Sequence, residues 1–467
     1  MLVPMPIRRE IKALSVLSAP LVVAQLAQMM MGVVGTVVAG HIGVHQLAAQ
    51  ALGATTFAFV LMSGYGAMSG LDPHVSKAVG QGDLALAGRI LRQGLWMAVI
   101  IGVPLTVLLW YSPWVLRAMG QDSQLLVEVE QYLHAAAPGL LPALAYAGYR
   151  SFASAVGRPG IIMGGAVIAN IVHAVLCAGL AKGLWGLPNL GVGGIGLASV
   201  VCRIILVGIV AIYIRQSKAF SAYRALFDLP SWPMLKRLLR SGLPLGLQYG
   251  LEVTGFVLIT LWMGLLGAQA LAAHEVAMTV AALGFQVPFS VGTAAAMRVG
   301  HAVGRRDAAA VARAGWTALA VGVVFSVISG ILMLIGRDAI AKIYLPDASP
   351  EVWTMAAHFL TIAAGFQLAD GTQAIGFGVL RGLDDTRVPM WFNVLGFGLL
   401  GLPVAYVGAF VLRLGPDPLW WGLTIALFVV STSLALRFYW ILGRPSRVIG
   451  PAISASQAPV AAVHTLG

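Results

Sequence analysis

The sequence predicts an all-α integral membrane protein with twelve transmembrane helices, arranged as two six-helix bundles related by a pseudo-twofold axis along the membrane normal. Three observations carry this expectation. First, the 467-residue chain is 59% hydrophobic and only 10% charged, whereas a soluble domain carries about 25% charged residues. So few charges cannot cover a water-facing surface, so most of this surface must face lipid. Second, the apolar runs are about 20 residues long, enough to cross a hydrocarbon core of ~30 Å. Third, the second half of the chain repeats the first. Backbone amides in lipid must be satisfied within their own element, so the runs read as helices. The short alternating strands of a closed barrel are not seen.

The expected spans are 11–38, 47–71, 87–111, 128–152, 159–181, 192–214, 236–265, 271–297, 311–335, 352–380, 388–412 and 418–442. Charges precede the first span in MLVPMPIRREIKALSVLSAP and no small-residue cleavage site follows, so it reads as an uncleaved helix rather than a signal peptide. Pro20, Pro138, Pro142, Pro244 and Pro288 each remove a helix hydrogen bond and are candidate kinks. Cys177 and Cys202 both fall inside spans, which argues against a structural disulfide or metal site. Most Trp and Phe residues are expected to face lipid or anchor at the interface, although an aromatic face can also stack on a flat cation. The domain expectation is an N-terminal lobe over 1–215, a cytoplasmic linker over 216–235, a C-terminal lobe over 236–442 and a flexible cytoplasmic tail over 443–467.

The net charge of +12 would suggest nucleic acid only if position were ignored. Arg8, Arg9, Lys12, Lys77, Arg89, Arg92, Arg150, Arg158 and the cluster from Arg215 to Arg240 fall on one side of the expected spans. So do Arg298, Arg305, Arg306, Arg313, Arg381, Arg387, Arg437, Arg444 and Arg447. The other side has only Arg117, Lys182, Arg337, Lys342 and Arg413. This is the positive-inside pattern. It places both termini in the cytoplasm and explains the basic balance with no nucleic-acid partner.

Sliding the sequence against itself by 224 positions gives an ungapped match. Pro20-Leu21 falls on Pro244-Leu245, Gly40 and Gly43 on Gly264 and Gly267, and Leu47-Ala48-Ala49 on Leu271-Ala272-Ala273. Asp83 and Arg89 fall on Asp307 and Arg313. Farther on the offset drifts to about 227, which places Tyr132-Leu133 on Phe359-Leu360. Glycines, a proline and loop charges in register are hard to obtain by chance. An even number of spans separates the copies, so both share one orientation, a parallel repeat. Two such lobes rocking about a central cleft are the architecture of a secondary transporter. No GxxxxGK[ST] phosphate loop occurs, and the glycines of GVGGIG (Gly191–Gly196) open a hydrophobic span, where they favour close helix packing. The energy source is then an ion gradient, unless the protein merely equilibrates its substrate.

Three acids lie well inside expected spans: Glu252, Glu275 and Asp370, with Glu275 nearer a span end. A charge at the bilayer centre costs roughly 2.5–3.5 kcal/mol on insertion scales, so such a residue is expected to face a wet cavity or a partner. All three sit in the second half. Glu252 aligns with Gln28, and Asp370 aligns, at the later offset, with Ala143. A feature present in one copy only is not needed for the shared fold, which favours a site. Gln248 and Tyr249 share a helix face with Glu252, and Gln367 and Gln373 flank Asp370 at a spacing of three. Two acids edged by amides suit a small cation. A carboxyl shielded from water can exchange a proton near neutral pH, and two carboxylates with carbonyls can instead ligate Na⁺. Both options stay open. Asn170, Arg203 and Gln28 are further candidate lining residues. Arg203, mid-span, has three readings: pairing with an acid, capping a carbonyl, or snorkelling. His173 reads as a hydrogen-bonded packing residue or a titrating group.

The chain resembles bacterial members of the multidrug and toxic compound extrusion (MATE) family, NorM-like branch, over nearly its whole length. The resemblance rests on LEVTGF around Glu252, ALAAHEVAM (Ala270–Met278), FQVPFSVGTAAAMRVGHAVGRRD (Phe285–Asp307), QLADGTQAIGFGVLRGLDDTR (Gln367–Arg387) and GTVVAGHIGVHQLAAQALG (Gly35–Gly53). It implies export of cationic or amphipathic organic compounds from a bacterial cytoplasmic membrane by a monomer. The exchange ion would be H⁺ or Na⁺, with no other cofactor, and Glu252 and Asp370 would be its ligands. The chain also departs from the family pattern. Gly35 stands where the family's first helix often carries Asp before Thr36–Gly40, which moves expected coupling into the second lobe. Asn170 is followed by His173 and Cys177 where asparagines are usual. Ala272-Ala273-His274-Glu275 brings an extra acid.

Two rival functions fit the sequence less well. A flippase of lipid-linked precursors needs a cationic cavity for pyrophosphate, and the intramembrane charges here are mainly acidic. An intramembrane enzyme needs a nucleophile–base pair or a metal cluster. HExxH spacing is absent, and the His pair of HIGVH (His41–His45) lacks the intervening Glu.

Overall fold

The computed structural model describes residues 7–217, 220–221, 228–346 and 348–444. Parts of the expected linker and the tail from Pro445 onward lie outside the described residues. The chain is helical nearly throughout. The first six-helix bundle contains α1 (Ile7–Gly40), α2 (Val44–Met68), α3 (Leu71–Gln81), α4 (Leu84–Trp110), α5 (Ser112–Ala118), α6 (Ser123–Ala136), α7 (Leu140–Ala155), α8 (Gly160–Lys182) and α9 (Gly191–Gln216). The second contains α10 (Trp232–Leu266), α11 (Ala268–Gly304), α12 (Ala308–Tyr344), α13 (Pro350–Gly382), α14 (Arg387–Asn393), α15 (Leu402–Tyr406) and α16 (Asp417–Leu442).

Among the described residues, 11 helical stretches are long and apolar enough to span a membrane. The twelfth span is broken in the middle. Residues 128–152 form α6 and α7 with a 3-10 turn, Ala137–Gly139, between them. Pro138 and Pro142 supply no N–H at this point, so the α-ladder cannot run through it. The expected span 388–412 also departs from a plain α-helix. After α14 the backbone widens into π-helical turns at Val394–Gly401 and, beyond α15, at Val407–Val411. Pro403 has no N–H for the carbonyl four residues back.

The repeat is visible in how helices start. Asp83 caps α4 by accepting from Leu86 N, and its counterpart Asp307 caps α12 by accepting from Ala310 N. Gly43 and Gly267 precede α2 and α11. Gly267 has φ 127°, a conformation that other residues rarely adopt.

Where the bundles meet, small residues let two helix pairs approach closely. A Cβ added to Gly70 in α2–α3 would lie 2.5 Å from Gly242 Cα in α10, and one on Gly66 would lie 2.6 Å from the Leu245 carbonyl oxygen. At the α3–α11 contact, a Cβ on Gly304 would lie 2.9 Å from Gly80 Cα. Polar contacts between bundles cluster at the end that carries the basic loops. Arg298 of α11 donates to both carboxylate oxygens of Glu10 in α1, at 2.9 and 2.6 Å. Arg381 of α13 faces Asp72 of α3 at 3.2 Å, without the alignment of a hydrogen bond. Ser151 donates to the other Asp72 oxygen, and the Tyr249 hydroxyl is hydrogen-bonded to Arg381. His74 of α3 lies 3.0 Å from Ser241 Oγ, which donates to Asp384. Of the basic residues expected on this side, Arg150 and Arg381 are therefore buried and Arg298 is partly buried. Arg150 lies over the Tyr65 ring and is 7% exposed, and Arg381 is 5% exposed.

Candidate ion and substrate site

The amphipathic face that α10 turns inward carries Gln248 and Glu252, and the facing side of α13 carries Gln367, Asp370 and Gln373. The structure brings these two faces together. Gln373 Nε2 donates to Glu252 Oε1 at 3.1 Å. Asp370 is 4% exposed and within electrostatic reach of Glu252, which is partly buried. The two acids are thus on different helices of one lobe and belong to one polar cluster.

Asn393 completes the cluster, and the sequence reading missed it. It is fully buried at the end of α14, where the backbone begins to widen. Its Nδ2 donates to the Gln248 carbonyl oxygen at 3.4 Å, and its amide is hydrogen-bonded to Glu252. A lone asparagine in an otherwise apolar span was the available signal. Around the acids, the side-chain oxygens of Gln248, Gln367, Gln373 and Asn393 are buried with no protein donor. A buried acceptor without a partner is costly. Four of them beside two carboxyls form an oxygen-rich set that suits a proton carrier or a small hard cation.

The other candidates separate. Tyr249 is turned to the lobe interface, hydrogen-bonded to Arg381 and edge-on to Phe289. Glu275 is exposed and does not join the acid pair. Its neighbour His274 points inward instead, 3.1 Å from Thr260 Oγ1 and edge-on to Trp420. One helix position decides which of the two is buried. Asn170 donates to its own helix at Ala166 O, and its Oδ1 has no partner. His173 is buried and lies 3.1 Å from Ser199 Oγ, which fits a packing role.

Gln28 and Arg203 line a separate cavity of about 490 Å³ in the first lobe. Arg203 caps no carbonyl and pairs with no carboxylate among the described residues. Its guanidinium lies 4.3 Å from the Phe57 ring centroid. Gly35 lines the same cavity, and a Cβ there would lie 3.2 Å from Gln50 Nε2 and 3.3 Å from Ile195 Cγ2.

Twelve spans in two repeated bundles, with a buried acid cluster in one lobe, a polar cavity in the other and ion pairs joining them at one end, define a multi-pass membrane transporter. The chain belongs to the MATE family. The MatE family profile matches residues 20–178 and 244–407, one segment in each lobe. The chain is 37% identical over 432 residues to the probable multidrug resistance protein NorM of Bradyrhizobium diazoefficiens, covering 92% of this chain and 93% of that protein. It is 36% identical over 429 residues to the multidrug resistance protein NorM of Burkholderia vietnamiensis, covering 91% and 92%. Its fold matches the crystal structure of the eukaryotic MATE transporter AtDTX14 with a TM-score of 0.86 at 22% identity, over 94% of this chain and 99% of that one. A MATE structure in the bent conformation matches with a TM-score of 0.83 at 16% identity, over 95% and 97%.

Proposed function

We propose that the protein is a secondary antiporter of the bacterial cytoplasmic membrane, with both termini inside. In this reading it exports cationic and amphipathic organic compounds in exchange for H⁺ or Na⁺. The NorM relatives support multidrug export as the activity. The observation that carries the coupling mechanism is the Glu252–Asp370 cluster, with its amide oxygens lacking donors, in one of two duplicated lobes.

In this reading the basic end is cytoplasmic, so the Glu10–Arg298 and Asp72–Arg381 pairs seal the cytoplasmic face. The acids are then loaded from outside. Ion binding neutralises them and favours release of substrate. The reloaded lobe returns to the cytoplasmic face, where the ion leaves and new substrate binds. A ligand shifts a two-state protein only by its differential affinity for the states, and a cluster whose charge vanishes on ion binding provides that difference.

Reconstituted proteoliposomes test this. Efflux of a fluorescent organic cation is measured under an inward proton gradient and then an inward sodium gradient, for wild type, Glu252→Gln and Asp370→Asn. One gradient should drive wild-type efflux, and both variants should lose that dependence. Ion-coupled efflux at the wild-type rate in both variants rejects the assignment.

A further inference from the structure

We propose that the first-lobe cavity is a subsite for a single negative charge, and that it accepts amphipathic aromatic compounds carrying one carboxylate. This deepens the proposed export function, on which it rests for the role of the ligand as cargo.

The cavity occupies the repeat-equivalent place of the acid cluster. Gln28, the counterpart of Glu252, lines it, and so does Ala143, the counterpart of Asp370. Both acids of the second lobe are thus replaced by uncharged residues. No Asp or Glu is found among the cavity's lining residues, and Arg203 is the one charged residue there. The acid-lined site of one lobe thus has as its counterpart a cavity whose charge, carried by Arg203 from a different position, is positive.

Arg203 is a half-buried cation without a counterion among the described residues. It makes no ion pair or hydrogen bond to a described residue, and its Nη1 is buried with no partner. Such a charge is costly unless something completes it. Phe57 covers one face of the guanidinium, a cation–π contact that fixes its plane and leaves the N–H edges at Nε and Nη2 open, while Nη1 is closed off against Gly139. Those edges match a carboxylate in shape and charge. Gln28 Nε2 and the Tyr146 hydroxyl, both on the cavity wall, are buried without a partner, so the cavity holds two further donors beside the guanidinium. A volume of about 490 Å³ lies within the ~300–1,000 Å³ typical of sites for drug-sized ligands. Its aromatic and Met walls suit a flat apolar body. One guanidinium balances one negative charge, so a pyrophosphate would remain largely uncompensated here.

The test is equilibrium binding to the full chain in nanodiscs, with empty nanodiscs as blank and no ion gradient. The probes are anthracene-9-carboxylate and its methyl ester, which differ by one charge. Wild type should bind the acid about tenfold or more tightly than the ester, as expected for a charge-assisted hydrogen-bonded pair. Arg203→Gln should lose that preference. Gln28→Glu, nearly isosteric, restores to this cavity the acid found in the other lobe and should also erase it. Equal or tighter binding of the ester by wild type overturns the proposal without any variant. So does an acid preference that survives in either variant. Because no gradient is used, loss of ion-coupled efflux in proteoliposomes would leave this result intact, and the two readings fail separately.

Discussion

Replacing Asp72 by Asn should release the seal between the lobes at the basic end. The change keeps the shape of the side chain and an oxygen for Ser151. What it removes is the negative charge facing Arg381, and both side chains of that pair are nearly inaccessible, at 4% and 6% exposed. Deleting one partner of a buried pair leaves the other charge uncompensated and costs about 3–5 kcal/mol. Tyr249 still bonds Arg381, so the lower end applies. About 3 kcal/mol is roughly a 150-fold shift in an equilibrium. It acts on the closed state alone, because separated lobes return Arg381 to water. A protein closed at about 99:1 would fall to about 2:3. Spin labels at Gln81→Cys in α3 and Arg306→Cys after α11 report the separation, in a chain with Cys177 and Cys202 replaced by Ala. Wild type should give one short distance, and Asp72→Asn should add a longer population. Adding Arg381→Met removes the stranded charge and should restore closure. Superimposable distance distributions for wild type and Asp72→Asn would refute the reasoning.

Three further outcomes are expected. Asn393→Leu removes a buried amide donor beside Glu252, at about 1–3 kcal/mol for the group left unpaired; the ion concentration giving half-maximal efflux should shift about tenfold, read from proteoliposome titrations. Gly242→Leu places a side chain against the Ala67 carbonyl and Gly70, so the same spin-label pair should show lobes held apart. Glu275→Gln alters an exposed group outside the acid cluster and should leave the ion dependence of efflux at its wild-type value.

The membrane spans were legible because lipid permits so few backbone solutions. Twenty apolar residues in a row have one economical structure, and Asp83 and Asp307 recur in register because both cap a helix. Glu252 and Asp370 were legible as a pair because a charge in an apolar run needs an explanation, and the repeat showed that the fold did not supply it. What the sequence hid is juxtaposition over long separations. Arg381 looks like a loop charge near a span end, and Asp72 sits just past one. Only the α3–α13 approach makes them a buried pair. Asn393 is one polar residue in an oily helix, and its bond to Glu252 spans a large sequence gap. Gln28 and Arg203 were each visible, but nothing local says that they line one cavity. Glu275 went the other way. It is as unusual in sequence as Glu252, yet its helix position turns it outward and His274 inward.

The central claim is that ion and substrate compete through the acid pair. The most direct measurement is the dissociation constant of a fluorescent organic cation for the purified protein, taken against pH at fixed sodium and against sodium at fixed pH. Reciprocal linkage requires affinity to fall as the coupling ion rises. Wild type is predicted to show that dependence for one of the two ions, and the Glu252→Gln/Asp370→Asn double variant is predicted to be flat for both. A wild-type affinity indifferent to both ions, or a dependence that survives in the double variant, would contradict the account.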